Sequence, residues 1–288
     1  MTSADSWKDY ELIDTGDGAR LERWGDIILE RPDPQVIWPK SKPDMWHNIH
    51  ARYSRSSSGG GSWDFFKKLP KQWELDYHDF KFIVEPMGFK HMGIFPEQAA
   101  NWDWIGERIR GARRDVRVLN LFAYTGGATV AAAAAGAQVC HVDASKGMVQ
   151  KARDNIAASG LGDRRVRYIV DDVNKFVARE KRRESYYEGI IMDPPSYGRG
   201  PGGEIWKLED SLYELVCNSV SILSDSPVFF LLNSYTTGIS PSVSANILEL
   251  TLGKKFKGRV TCDEIGLPVT ASGLFLPCGS YARWESKD

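Results

Sequence analysis

Between residues 117 and 234, short apolar runs alternate with helical stretches, and no other feature of the chain narrows its possible folds so far. RVLNLFAY (117–124), QVCHVDA (138–144), VRYIVDD (166–172), GIIMDPP (189–195) and PVFFLLNSY (227–235) have the length and continuous apolar character of buried strands. The stretches between them, TGGATVAAAAAGA, SKGMVQKARDNIAASG, NKFVAREKRRE and KLEDSLYELVCNSVSIL, place apolar residues three and four apart. Met148, Ala152 and Ile156 share one helical face, with Ser145 as a candidate cap and Gly160 as a stop. Such alternation predicts an α/β fold with a parallel sheet wrapped by helices, because right-handed crossovers return each strand to the same sheet. RVTCDEIGLPV followed by GLFLPCGSYARW departs from the rhythm and predicts a closing antiparallel hairpin.

The front of the chain obeys a different grammar. Residues 10–40 carry short alternating runs punctuated by Gly-Asp-Gly and Pro-Asp-Pro, which predict a small antiparallel sheet. SRSSSGGGS (54–62) reads as a flexible loop, since glycine and small polar residues bury too little to offset their ordering entropy. Residues 73–86 alternate again, and FPEQAANWDWIGERI then takes up a helical rhythm, placing a boundary near residue 104. The expected organisation is a Trp-rich, mainly-β domain over 1–104 and an α/β domain over 105–288. Trp7, Trp24, Trp38, Trp46, Trp63, Trp73, Trp102 and Trp104 all lie in the first part, either as its core or as a stacking platform for RNA.

Charge excludes one class of function. Thirty-seven Lys+Arg against thirty-eight Asp+Glu leave a net charge of -1, so the chain is no polycation that coats nucleic acid. Residues 1–104 hold 13 basic and 17 acidic side chains, and positive charge gathers locally at Arg108/Arg110/Arg113/Arg114, Arg164/Arg165/Arg167, Lys181/Arg182/Arg183 and Lys254/Lys255/Lys257/Arg259. Contact with RNA would run through such clusters. The first residues lack the charged and apolar regions of a signal peptide, and no run of about 18 apolar residues occurs, so a soluble, cytoplasmic protein without a membrane partner is expected. Cys140, Cys217, Cys262 and Cys278 are widely spaced and predict neither a metal site nor a disulfide framework.

Ligands of a doubly wound sheet bind beyond the carboxyl ends of its strands, where strand order reverses. Four such ends stand out. After the first strand come Phe122, Ala123, Tyr124, Thr125, Gly126 and Gly127, where paired glycines permit close backbone approach or simply make a tight turn. Asp143 closes the second strand about 20 residues on, suited to accept both hydroxyls of a ribose or to cap a helix. Asp171 and Asp172 close the third, where one could take an adenine amino group and one could cap the next helix. The fourth ends in Asp193-Pro194-Pro195-Ser196-Tyr197, where two prolines stiffen the loop, remove two donors and leave carbonyls and a carboxylate to face something else. Tyr197 offers a ring for stacking.

LNLFAYTGGATVAAAAAGAQVCHVDASKGMVQKARDNIAASGL, VDDVNKF and IIMDPPSYGRG together resemble the class I S-adenosylmethionine-dependent methyltransferases of the ribosomal-RNA large-subunit type, which act on cytosine C5 or guanine N7. The resemblance spans roughly 80–235, and VEPMGFKHMGIFPEQAANW is similar to the segment preceding the catalytic domain of those enzymes. It implies a Rossmann-like, seven-stranded sheet with helices on both faces, S-adenosyl-L-methionine as cofactor, and no metal. It further implies that Phe122, Tyr124, Thr125, Gly126 and Gly127 surround the methionine part. Asp143, with Ala144 and Ser145, would hold the ribose; Asp172 and the Val173 backbone, the adenine. Asp193 and Pro194 would stand beside the sulfonium, and Gln98 would reach the cofactor from the preceding segment. Asp193, Pro194, Pro195, Ser196 and Tyr197 would carry the transfer.

One departure from that family bears on the chemistry. Its cytosine-C5 members attack the ring with a cysteine after the fourth strand or at the end of the fifth, positions filled here by DPPSYGRG and by Asn233-Ser234. Transfer to nitrogen is therefore expected, with RNA as acceptor, ribosomal RNA being what the resemblance implies. The competing readings are transfer to a small molecule or a protein side chain, a nicotinamide-dependent oxidoreductase, and a non-catalytic RNA-binding module. The sequence leaves the oligomeric state open.

Overall fold

The computed structural model describes residues 1–56, 60–199 and 205–287. They form two compact units, one of residues 1–100 with 266–278 and one of residues 101–265 with 279–288.

In the first unit, β1 (Thr2–Ser3), β2 (Tyr10–Gly16), β3 (Ala19–Trp24), β4 (Ile27–Pro32), β5 (Ala51–Arg55), β6 (Gly61–Phe65), β7 (Trp73–Tyr77) and β8 (Phe80–Val84) are short, as the punctuation predicts. β2 to β6 make a sheet in sequence order and β7 pairs with β8. The sheet is not wholly antiparallel, since β4 and β5 run parallel across Leu29 and Ala51. The expected loop at 54–62 is shorter than its composition suggests. Ser54 pairs with Ser62 and Arg55 with Gly61, a register pinned by the edge-on Tyr53 and Trp63 rings 5.4 Å apart; residues 57–59 lie outside the described residues.

The tryptophans of this unit are structural. Trp24 and Trp46 are buried. Indole N–H groups of Trp7, Trp38, Trp46, Trp63 and Trp73 donate to Pro96 O, Thr15 Oγ1, Asp14 Oδ2, Met87 O and Trp24 O at 2.8–3.1 Å. Rings tied down by both face and N–H serve as core, not as a platform waiting for bases.

The second unit contains α1 (Ala99–Gly111, whose first two residues belong to the first unit), β9 (Arg117–Leu121), α2 (Gly127–Ala134), β10 (Gln138–Asp143), α3 (Lys146–Ala158), β11 (Val166–Val170), α4 (Val173–Arg182), β12 (Gly189–Met192), β13 (Tyr197–Arg199), β14 (Ile205–Lys207), α5 (Leu208–Val220), β15 (Phe229–Ser234) and α6 (Pro241–Thr251). β16 (Gly258–Pro268) and β17 (Phe275–Ser286) follow as the expected hairpin. The sheet order is β16-β17-β15-β12-β9-β10-β11, with the two-residue β1 at the outer end of β16. β11, β10, β9, β12 and β15 are parallel and β17 is antiparallel to β15. This is the doubly wound, Rossmann-like arrangement, and its order reverses between β9 and β12.

Both faces are covered. On one, Leu119, Leu121, Cys140 and Val142 pack with Phe176 and Val177 of α4, Leu212 and Leu215 of α5 and Leu248 of α6. Each such side chain removed from water contributes roughly 1.5–3 kcal/mol. The other face carries a small polar knot: Asn120 Nδ2 donates to Thr129 Oγ1 at 3.0 Å, and Thr129 Oγ1 lies 2.9 Å from His141 Nδ1.

His141 is fully buried, and burial, with Arg153 acting the same way, pushes its imidazole down from 6.5 to about 4. It is neutral at pH 7 folded or unfolded. Below pH 6.5 the unfolded chain binds a proton that the folded chain refuses, so stability present above pH 6.5 is lost as pH falls toward about 4. Urea unfolding from pH 7.5 to 4.5 should therefore lose about one proton of slope in His141→Gln, at most about 3 kcal/mol over the window. An unchanged slope would contradict the buried neutral state.

Candidate active site

The carboxyl ends of β9, β10, β11 and β12 lie along one edge of the parallel sheet, and all the expected site residues except Gln98 lie at or just after those ends. Gln98 belongs to the first unit, buried in the 3₁₀ turn Pro96–Gln98.

β9 stops at Leu121, earlier than its apolar run suggests, because the chain then turns through left-handed backbone at Phe122 (φ 54°), Tyr124 (φ 49°) and Gly126 (φ 84°). Two non-glycine residues in that region cost on the order of 1–3 kcal/mol each, a strain that persists only where neighbours enforce it. Asp143 does so, accepting the Tyr124 N–H at 2.9 Å on Oδ2 and the Ser145 N–H at 2.8 Å on Oδ1. The buried Asn155 amide adds a 2.8 Å bond to the Thr125 carbonyl.

The paired glycines answer first to packing. A Cβ on Gly126 would stand 2.9 Å from Ala152 Cβ, and one on Gly127 would stand 2.5 Å from Trp102 Cζ2. Their consequence for a ligand is indirect. Gly126 at the N-cap of α2 provides no side-chain cap, so the first-turn N–H groups of α2 face the crevice side of the sheet edge uncapped.

Asp143 is half-buried, and burial raises its carboxyl above the usual value of 3.8 while the two N–H donors pull it back. Ala144 and Ser145 are exposed beside it, and Ser145 Oγ accepts the Met148 N–H at 3.4 Å, the cap its position suggests. After β11, Asp172 Oδ1 accepts the Lys175 N–H at 2.9 Å and caps α4, which begins at the buried Val173. Asp171 accepts the Asp172 N–H at 2.9 Å and is ion-paired with Arg179. Of this acidic pair, Asp172 makes the helix cap.

After β12, Asp193 is half-buried, Pro194 buried, and Pro195, Ser196 and Tyr197 exposed, Tyr197 at 51%. The reading that two prolines leave the local carbonyls unbonded needs correction. Pro195 O accepts the Trp206 indole N–H at 2.7 Å and Ser196 O accepts the Leu208 N–H at 3.1 Å. The donors come from β14 and the start of α5, because β13 and β14 form a hairpin that pairs Tyr197 with Lys207 and Gly198 with Trp206. Ser196 Oγ meets Thr236 Oγ1, beyond β15, at 2.7 Å, and the Trp206 ring lies 6.0 Å from that of Phe122. The loop is thus rigid through bonds it makes, and the Asp193 carboxylate stands at its base.

Trp206 and Asn155 are the parts that sequence reasoning missed. Asn155 had a signal, being a polar residue on the buried face that Ala152 and Ile156 define. Trp206 had a weaker one, an aromatic residue in the segment that leads into α5.

None of the cysteines lies in the turns that follow β9, β10, β11 and β12. Cys140 lies within β10, Cys217 within α5 and Cys262 on β16. Cys278 on β17 has its thiol pushed well above the usual range by burial and by the Glu97 carboxylate. Among the described residues no group of three or more His, Cys, Asp or Glu could hold a metal ion, and no helix is long and apolar enough to cross a membrane.

The donors and acceptors fit a nucleoside bearing a carboxylate: an uncapped helix terminus, a carboxylate about one strand away, and an order reversal that opens a crevice. Comparison with known proteins bears on which one. The profile of the S-adenosylmethionine-dependent methyltransferase family matches residues 38–209. The crystal structure of the SAM-dependent methyltransferase from Agrobacterium tumefaciens superposes with a TM-score of 0.91 at 36% identity, covering 98% of this chain and 91% of that one. Ribosomal RNA large subunit methyltransferase K/L of Shewanella baltica is 30% identical over 232 residues, 77% of this chain and 30% of that protein. Ribosomal RNA large subunit methyltransferase I of Klebsiella pneumoniae is 32% identical over 123 residues, 42% of this chain and 29% of that protein. The chain therefore spans less than a third of the length of these two curated relatives.

Proposed function

The chain belongs to the S-adenosylmethionine-dependent methyltransferase family, and from that premise we propose that it methylates a nitrogen of a nucleobase in ribosomal RNA, with the chemistry carried by residues 105–288. The observation that carries this reading is the clamped loop Asp193-Pro194-Pro195-Ser196-Tyr197 beside the point of strand reversal, with an acceptor at its base and an aromatic ring at its exposed end. S-adenosylmethionine, when bound, supplies an electrophilic methyl group on its sulfonium.

The chain's own residues then have separable tasks. Asp143, with Ala144 and Ser145, holds the ribose; Asp172 and the Val173 backbone border the adenine. Phe122, Tyr124, Thr125, Gly126 and Gly127 enclose the methionine part, whose carboxylate suits the α2 terminus. Asp193 accepts a hydrogen bond from the acceptor base and orients its nitrogen lone pair, while Tyr197 stacks on the ring. Nitrogen is favoured over cytosine C5 because no cysteine follows β12 or ends β15, and the burial-raised Cys278 thiol is a poor nucleophile. Ribosomal RNA is favoured because it is named as the substrate of both curated relatives.

Radiolabelled transfer to ribosomal RNA, transfer RNA, small molecules and protein, followed by nucleoside analysis, tests the reading. An N-methylated nucleoside from ribosomal RNA is expected; C5-methylcytosine, or label in protein alone, would overturn it. Tyr197→Ala should lower turnover about 10- to 100-fold, the worth of one stacked base, with S-adenosylhomocysteine affinity nearly unchanged. Equal loss of both would remove Tyr197 from the acceptor pocket.

A further inference from the structure

At the opposite edge of the parallel sheet, the amino ends of β9, β10 and β11 surround a cavity of about 290 Å³ lined by Arg117, Gln138, Val139, Cys140, Arg165, Val166, Arg167 and Tyr187. Three of these residues are arginines and none is acidic. The strand register explains their convergence. Gln138 pairs with Arg117 and Cys140 pairs with Arg167, while the Val139 N–H donates to the Arg165 carbonyl at 2.9 Å. Arg117, Gln138 and Arg165 therefore form a row across three strands, with Arg167 two residues further along β11 on the same face.

The arginines differ in how much charge they have left to offer. Arg167 lies 3.6 Å from Glu180, a carboxylate 1% exposed that also accepts the Tyr187 O–H at 2.7 Å and meets Arg183 at 3.4 Å. Glu180 is thereby spoken for. Arg117 stacks its guanidinium 5.2 Å from the centre of the Tyr187 ring, which fixes its direction without neutralising it. Among the described residues neither the Arg117 nor the Arg165 guanidinium makes an ion pair; the one carboxylate at Arg117, that of Glu188, accepts its backbone N–H at 2.7 Å. Cys140 adds no negative charge, since burial pushes its thiol up to about 11.

Two guanidinium groups outside any ion pair, a third partly compensated and an amide around one concavity match the donor-rich geometry that phosphate oxygens require. We propose that the amino-terminal edge of the sheet is a phosphate-binding site, separate from the transfer site, and that it takes a backbone phosphate of a polynucleotide. The pocket lies on a surface where three arginine side chains reach solvent, as an extended strand needs and an enclosed small molecule does not. The identity of the polynucleotide rests on the RNA reading above; the phosphate chemistry does not. The site also gives Arg165 and Arg167 a specific task where helix and strand ends in general offer only solvated charge.

The test compares wild type with the double variant Arg117→Gln/Arg165→Gln, and with Arg164→Gln/Arg182→Gln as a control that removes equal charge from exposed positions outside the pocket. Inorganic pyrophosphate and a 20-nucleotide single-stranded RNA serve as probes, with S-adenosylhomocysteine affinity as a check on the fold. The pocket variant should bind pyrophosphate at least 10-fold more weakly, and its slope of log K against log salt for RNA should fall by about 1.4, two phosphates at 0.7 each. S-adenosylhomocysteine affinity should be unchanged, and the control should behave as wild type. Loss of pyrophosphate binding with RNA affinity intact would keep the phosphate site and assign it to a small phosphorylated ligand, overturning the polynucleotide. Unchanged pyrophosphate binding, or an equal loss in the control, would overturn the site. Failure of the RNA-methylation reading appears elsewhere, as absence of label in RNA, and leaves the pyrophosphate comparison decisive.

Discussion

Asp143→Ala should weaken S-adenosylhomocysteine binding on the order of 100-fold, about 2.7 kcal/mol, as measured by calorimetry. The size follows from two losses at once. The carboxylate would no longer accept the ribose hydroxyls, and the N–H groups of Tyr124 and Ser145, now 2.9 and 2.8 Å from its oxygens, would lose their acceptor. The Tyr124 N–H is part-buried, so leaving it unpaired costs up to the roughly 1–3 kcal/mol of a buried donor, while the exposed Ser145 N–H can turn to water; the loss also releases the strained backbone at Phe122 and Tyr124. Asp143→Asn should recover little, because an amide offers one acceptor oxygen to two donors and turns its own N–H₂ toward the second. The variant with full cofactor affinity would refute the assignment of Asp143 to the ribose and to the loop.

The strain at Phe122 and Tyr124 also marks where sequence reading reaches its limit. The alternation over 117–234 was sufficient for the order of strands and helices, because a buried parallel strand and an amphipathic helix each write their period into the chain. The rhythm does not locate the reversal between β9 and β12, which depends on strand order, but it does put Asp143, Asp172 and Asp193 at the carboxyl ends of strands that share one edge in a parallel sheet. The end of β9 did not follow from it either, since Phe122 and Ala123 continue the apolar run and only the backbone angles end it. Nor did the hairpin of β13 and β14, whose strands of three residues are shorter than any periodic signal. Its consequence was misread accordingly: the Pro195 carbonyl is bonded because Trp206 arrives from a strand that no local pattern announces. Contacts of this kind, like that of Leu12 with Val269, depend on residues far apart in sequence and leave little trace in either.

Because the loop after β12 is held by Trp206, Leu208 and Thr236 through its neighbours' atoms, removing the Asp193 charge should leave it standing. Asp193→Asn is therefore expected to lower turnover 10²- to 10³-fold, the range for losing one preorganised polar contact to developing charge, while stability changes by less than about 1 kcal/mol, or about 2–4 °C in melting midpoint. The two cofactor forms separate its roles. A carboxylate beside the sulfonium favours the cationic S-adenosylmethionine over the neutral S-adenosylhomocysteine, so the variant should lose affinity for the first and keep it for the second. If turnover falls while the ratio of the two affinities holds, Asp193 acts on the acceptor base alone. If both affinities fall together with the melting midpoint, the carboxylate supports the loop, and the transfer chemistry must be sought among Ser196, Tyr197 and the carbonyls of the Asp-Pro-Pro turn.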